Sequence, residues 1–531
     1  METVLFQTIP SPKKSIKMNK LIKSINFKIS HTTFCVLYAT FLYVIYNAIN
    51  LGKITKWFYL GNKIDYVTLT AFFIIGLCGF IATFTLLAHR KTIKPVAIIF
   101  VILSAIAVYF SAKYDVVIDR SMIMNAIYTD TAEVHGLLSI HMIPYFLLLI
   151  LLPILAILAI QIKFEDKAKY LLASAKLIIT VLIIAITLVY TRFDGIQRAT
   201  NISKKYIIHS LIPLNYIQSF GSILQHSIFA HHGKTAKNIE ISGSISKQDN
   251  LIVVLAIGET SRQQNFSLYG YQRQNTNPTL SKEKNLHLLN GVARLGSTLY
   301  ALPEILVKND IPLPAITSKL GINTSCYVNY TLYGICDAVG EIKVTNCGHG
   351  GVCYDEDVLP LLGDNLKSYT SGYRLIILHL GGGSHGPSYH ERYPAEFQRF
   401  KPMCLDADVV NQCTLEQLYN SYDNTILYVD NVLGKIVNKL DGSKLPYVFI
   451  YLSDHGESLM ENGRIFHGMP PGIKLPPEQA HIPLIVKSSV PISIVKHQEY
   501  SQQDVFNTVL GLFSIESDLN DKDANFINRQ K

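Results

Sequence analysis

Five long, nearly uncharged apolar runs lie within the first 190 residues, at 32–50, 66–88, 95–111, 143–162 and 171–190. A helix of about 20 apolar residues crosses the hydrocarbon core of a bilayer. Each run therefore predicts one transmembrane helix, and five buried core helices in so short a stretch would not fit a soluble domain. A cleaved signal peptide does not fit either, since no small-residue cleavage site is followed by a soluble sequence. The chain has 531 residues, 49% hydrophobic and 16% charged, which leaves ample length for a second domain.

Basic residues orient the spans. Lys13, Lys14, Lys17, Lys20, Lys23 and Lys28 precede the first; Arg90, Lys91 and Lys94 follow the second; Lys163, Lys167 and Lys169 follow the fourth. The alternate loops carry fewer, at Lys53, Lys56 and Lys63 and then Lys113 and Arg120. The positive-inside rule makes the amino terminus cytoplasmic. Five crossings then put everything after about residue 192 on the opposite side. The net charge of +9 suits an anionic lipid surface. It does not indicate nucleic acid, because no basic run is interleaved with aromatics. Cys35 and Cys78 fall within the spans, whereas Cys326, Cys336, Cys347, Cys353, Cys404 and Cys413 all fall in the exported part. Their close spacing predicts short-loop disulfides in an oxidising compartment. Metal binding is the rival reading for Cys347 and Cys353, which have no second cysteine pair beside them.

Three parts are expected: a transmembrane domain over 1–192, a connector over 193–248 and a soluble α/β domain over 249–531. The connector's middle mixes apolar and polar residues at helical spacing, as an interfacial helix or one packed on the soluble domain would. From residue 249, short β-branched runs read as strands at 251–258, 373–380, 446–454 and 481–487, and 414–440 reads as a long helix. Continuous apolar strands imply a central sheet covered on both faces by helices, with a site where the strands' C-terminal ends meet loops.

Three of those ends carry polar residues. Gly258-Glu259-Thr260 follows the first strand, Gly381 to Gly383 with Ser384-His385-Gly386 the second, and Asp454-His455-Gly456-Glu457 the third, with His467-Gly468 further on. Carboxylate and imidazole ligands with an oxygen as fourth donor suit tetrahedral zinc. Thr260 is the nucleophile these motifs suggest by themselves, or the N-cap of a helix beginning near Ser261.

The stretches AIGETSRQQNFSLYGYQRQNTNP (256–278), GGGSHGPSYHERYP (381–394) and SDHGESLMENGRIFHGMP (453–470), with VIDRSMIMNAIYTDTAE (117–133) and LIPLNYI (211–217), resemble the membrane phosphoethanolamine transferases of Gram-negative bacteria. The resemblance implies a five-helix membrane domain and an alkaline phosphatase-like soluble domain in the periplasm, anchored in the inner membrane. It moves the nucleophile to Thr298, five residues before Pro303. It implies Glu259, Thr298, Asp454 and His455 as ligands of one zinc ion. His385 and His467 then lie near the substrate phosphate or hold a second zinc, and Asn125, Thr129 and Glu133 cradle the ethanolamine-bearing substrate. The implied donor is phosphatidylethanolamine, and the implied acceptor is lipid A, whose modification weakens attraction of polymyxins. The enzyme is expected to be a monomer. Core sugar, periplasmic glucan or a phosphoglycerol reaction are the alternatives on the same scaffold. A non-enzymatic sensor would have lost ligands, and none of those expected is missing. The sequence departs from the family where a cysteine pair often brackets the nucleophile loop: Arg294 and Glu304 stand there, and an ion pair between them is expected. Tyr330 and Tyr333 replace a serine and a lysine of some relatives. By the same resemblance Cys336 matches a family cysteine whose usual partner position is Leu332 here, so its pairing stays open, with Cys326 as a candidate substitute.

Overall fold

The computed structural model describes residues 28–48, 51–55, 58–60, 63–114, 118–128, 140–230, 243–329, 332–337, 339, 341–344, 354–381, 383–469 and 471–530. The lysines at 13–23, Thr129, Glu133, Tyr330, Cys347 and Cys353 lie outside them. Contacts divide the chain into two units: Met1–Ala112 with His141–Gln218, and Lys113–Ile140 with Ser219–Lys531.

In the first unit, all five apolar runs are helical. Among the described residues, four helices are long and apolar enough to cross a membrane: Tyr66–Leu87, Ile93–Tyr114, Met142–Ala159 and Lys167–Thr191. The run at 32–50 folds as His31–Ala48 but falls short of that standard. Its ends are polar and engaged. His31 Nε2 lies 2.7 Å from the Ala88 carbonyl, and the Asn47 amide both accepts from Ile212 N at 2.9 Å and donates to Ile212 O at 2.5 Å. The run at 143–162 ends earlier than expected, at Ala159, and contains a wider π-type turn over Leu147–Leu151. Gly76 lets helix Tyr66–Leu87 approach the first helix, since a Cβ there would stand 2.1 Å from the Tyr43 hydroxyl. Leu148, Leu152 and Ile186 are exposed, which is costly in water and natural against lipid.

The second unit is built on an eight-stranded sheet. Its strands are β1 (Leu251–Gly258), β2 (Leu286–Val292), β3 (Asn323–Val328), β4 (Glu341–Val344), β5 (Tyr373–Leu380), β6 (Tyr447–Ser453), β7 (His481–Ser488) and β8 (Tyr500–Ser501), in the order β4-β3-β5-β1-β6-β7-β2-β8. The five from β4 to β6 are parallel, and β7 runs antiparallel to both its neighbours. Every residue of β1, β5 and β6 is buried, as strands covered on both faces require. Alternate β1 residues Leu251, Val253, Leu255 and Ile257 enter one core with Leu302 and Ile305 of helix Thr298–Leu306 and with Val505 and Val509 of helix Asp504–Leu512. Helix Leu415–Ser443 begins at a capping box: the Thr414 hydroxyl accepts from Gln417 N, and the Gln417 side chain accepts from Thr414 N. Disulfides join Cys326 to Cys336 and Cys404 to Cys413, while Cys35 and Cys78 are free and buried. Arg294 and Glu304 stand 3.9 Å apart, with Arg294 largely exposed, so this contact is worth about 0–1 kcal/mol.

Candidate metal centre and nucleophile

Register brings the site together. Gly258 is paired with Leu380 on one side and with Ser453 on the other, so three parallel strands end at one level. Glu259, Gly381 and Asp454 are the next residues, and their loops open on the same edge. Gly383 crosses so close to Glu259 that a Cβ would lie 2.3 Å from the Glu259 carbonyl. That carbonyl accepts from Ser384 N at 2.9 Å, which fixes the loop carrying His385.

Thr298 is the first residue of helix Thr298–Leu306. Its Oγ1 lies 3.1 and 3.0 Å from Oε1 and Oε2 of Glu259, and 3.5 Å from His455 Nε2. His455 Nε2 is 3.2 Å from Asp454 Oδ2 and 3.8 Å from Glu259 Oε1. Ligand atoms of Glu259, His455 and His467 lie within 4.8 Å of one another. The His467 ring is 4.4 Å from that of His455 and 4.8 Å from that of His385. Glu259, Thr298, His385, Asp454, His455 and His467 thus form one cluster. Asn125 lies on helix Arg120–Tyr128, which packs against helix Thr298–Leu306.

The cluster fits a cation. Asp454 Oδ1 accepts from Thr260 N and His455 N at 3.0 and 2.7 Å, but its buried Oδ2 accepts no hydrogen bond. A buried carboxylate oxygen left without a donor is costly. Here it stands 3.2 Å from the His455 imidazole, which burial pushes down to about 4, with Asp454 opposing the shift. Burial, and then His467, also depresses His385. Neutral imidazoles offer the lone pair a metal needs, and two carboxylates with imidazole and a hydroxyl make a zinc-type donor set.

Thr260 is displaced from the chemistry that its position suggested. It is fully buried in the left-handed region at φ +53°, and its hydroxyl makes no hydrogen bond. No helix begins at Ser261; a short 3₁₀ turn, Gln263–Asn265, follows instead. Glu457 was not given a role by its spacing. Its buried carboxylate accepts from Tyr389 Oη at 3.0 Å and meets His467 Nδ1 at 3.1 Å, which orients that ring. The available signal was a third acidic residue two places after His455.

Residues 251–515 match the sulfatase family, and residues 77–228 match the family described as phosphoethanolamine transferase EptA/EptB. The chain is 34% identical over 482 residues to phosphoethanolamine transferase EptA of Helicobacter pylori, covering 85% of this chain and 88% of the relative. It is 33% identical over 472 residues to EptA of Escherichia coli K12, covering 80% and 83%. Its fold is similar to that of the integral membrane lipooligosaccharide phosphoethanolamine transferase A of Neisseria meningitidis, with a TM-score of 0.82, 24% identity and coverage of 95% and 100%.

Proposed function

Because the chain belongs to the phosphoethanolamine transferase family, we propose that it moves phosphoethanolamine from phosphatidylethanolamine to lipid A through a covalent adduct on Thr298. The carrying observation is the Thr298 hydroxyl, held on both oxygens of Glu259 beside His455. In the first step Thr298 Oγ1 bonds to the phosphorus, the bond to the diacylglycerol oxygen breaks, and diacylglycerol leaves with a proton. In the second, a lipid A phosphate attacks the same phosphorus and the Thr298 oxygen leaves and regains its proton.

Glu259, Thr298, Asp454 and His455 would hold a zinc ion, with His467 close enough to share it or to bind a second. Bound there, zinc lowers the pKa of a hydroxyl and polarises phosphoryl oxygens. The protein's own groups supply the rest. The Thr298 hydroxyl hydrogen bonds to Glu259, which aims its lone pairs away from that carboxylate. Thr298 opens a helix whose first backbone N–H groups favour an anion. His385 and His467 stand where they can donate to the phosphoryl oxygens or to the leaving oxygen. Asn125, Thr129 and Glu133 are assigned to the ethanolamine-bearing substrate.

Apolar helices and disulfides support an inner-membrane enzyme whose catalytic domain faces the oxidising periplasm. Donor and acceptor both keep buried acyl chains, so a tethered site acts on them without extracting either. The test is the mass of the Thr298 peptide after the full-length protein meets phosphatidylethanolamine, paired with mass spectrometry of lipid A from expressing cells. A phosphoethanolamine adduct absent from Thr298→Ala, with modified lipid A, supports the reading. An adduct with unmodified lipid A moves the acceptor to core sugar or glucan. An adduct formed from phosphatidylglycerol in a parallel incubation, and none from phosphatidylethanolamine, changes the donor, and an active enzyme with no adduct ends the covalent route.

A further inference from the structure

We propose that Tyr114 is a positioning residue that acts through Phe466 to set the spacing of His385 and His467. The proposal rests on the function above for its kinetic consequence and on geometry alone for its structural one. Lys113 and Tyr114 end helix Ile93–Tyr114 and belong to the unit that carries the sheet. The Tyr114 ring is buried with its centroid 5.2 Å from that of Phe466, at 45°. Its neighbour Lys113 pairs with Asp408, whose side chain is 1% exposed. Asp408 in turn caps helix Val409–Gln412 inside the Cys404–Cys413 loop. Lys113, the residue before Tyr114, is thus tied to a crosslinked, capped element.

Phe466 is held in a conformation that an aromatic residue rarely adopts. Its φ is +62°, in the left-handed region that bulky side chains are strained to hold. Such strain persists only where the surroundings over-determine it. Phe466 pairs with Ser458 in a two-stranded ribbon, and its carbonyl accepts from Gln479 Nε2 at 2.9 Å. Its ring lies against Gly386, where a Cβ would meet Phe466 Cε1 at 2.5 Å and Cδ1 at 2.7 Å. Gly386 follows His385, and Phe466 precedes His467. One ring is thus wedged between the two histidine-bearing loops, whose imidazoles are 4.8 Å apart. Tyr114 covers that wedge. Without the Tyr114 ring, Phe466 has room to relax towards ordinary φ and the two imidazoles separate.

The test uses the full-length protein with phosphatidylethanolamine and lipid A, and the variants Tyr114→Ala and Tyr114→Phe. In Tyr114→Ala, kcat is expected to fall about 10–100-fold, as loss of an orienting partner does, while KM for the donor stays within about twofold. Tyr114→Phe keeps the ring and restores kcat to near wild type. A cryo-EM structure of Tyr114→Ala is expected to show the His385–His467 separation changed. Tyr114→Leu takes the place of Tyr114→Ala if the latter does not fold. An unchanged separation overturns the proposal whatever the activity, and so does wild-type kcat in Tyr114→Ala or failure of Tyr114→Phe to rescue. If the wild type transfers nothing while the separation still moves, the function reading falls and the positioning role stands.

Discussion

Thr298 Oγ1 stands 3.0 Å from Glu259 Oε2 across 39 residues of sequence. The pair joins the end of β1 to the start of a helix, so it depends on the whole sheet being in register. Glu259→Gln removes a negative oxygen while keeping the side chain's shape. Transfer is expected to drop about 100-fold or more, and zinc bound per chain, read by elemental analysis of the purified protein, is expected to fall with it. Full zinc content in that variant would remove Glu259 from the ligand set.

The close crossing of Gly383 and Glu259 makes a second expectation. Gly383→Ala places a methyl 2.3 Å from a backbone oxygen, which no side-chain rotation relieves. Overpacking of this kind costs about 1–3 kcal/mol. Both the thermal midpoint and the transfer rate should decline, whereas Gly442→Ala, with nothing within 4 Å, should leave both close to wild type.

Arg262 and Glu461 form a pair within the catalytic unit, with Nη1 to Oε1 at 2.6 Å and the Arg262 side chain 4% exposed. Arg262 also donates Nε to Asn265 and Nη1 to the Glu457 carbonyl. Arg262→Ala strands these partners and should cost about 3–5 kcal/mol in chemical denaturation. Burial raises the Glu461 carboxyl, but Arg262 outweighs it and the net position is below the ordinary 4.5. A carboxyl depressed by folding contributes stability that is present above its unfolded pKa and is lost as pH falls through its folded pKa. Denaturation midpoints followed downward from pH 6 should therefore fall below about pH 4.5, less steeply in Glu461→Gln than in the wild type.

Removing the Cys404–Cys413 bridge by double serine substitution should cost about 2–4 kcal/mol. Because this loop carries Asp408, the partner of Lys113, the loss should register as faster proteolysis between residues 398 and 415 as well as a lower thermal midpoint. Unaltered cleavage there would mean that helix Leu415–Ser443 holds the loop without the crosslink.

Much of this architecture could be read from periodicity because the central strands are buried on both faces. Residues 251–258, 373–380, 446–454 and 481–487 are continuous apolar runs, and the strands form at Leu251–Gly258, Tyr373–Leu380, Tyr447–Ser453 and His481–Ser488. The helix expected over 414–440 forms as Leu415–Ser443. β2 escaped notice because it is mixed, with Leu289 and Gly291 buried while Leu288 and Asn290 are exposed and His287 is half-buried. β8 has only two residues, too few for any period to register. His31–Ala48 satisfied the apolar count as a run, but its buried His31 and Asn47 bind backbone groups of other segments. Pairing that depends on contacts between distant segments leaves no trace in local composition. Thr298 shows the same limit at the site: an ordinary hydroxyl in an ordinary loop, 39 residues from its partner, became visible only through the family resemblance. Thr260 was the better local candidate, and its left-handed backbone and sealed position withdrew it.

The shared level at which β1, β5 and β6 end has a practical meaning for redesign. Side chains along a strand alternate faces, so inserting one residue before Gly258 would turn Glu259 to the far side and dismantle the centre in a single step. Libraries intended to retune which acceptor is decorated should leave these three ribs untouched. They should be written instead into the segments beyond them, where length can vary while the anchored chemistry stays in place.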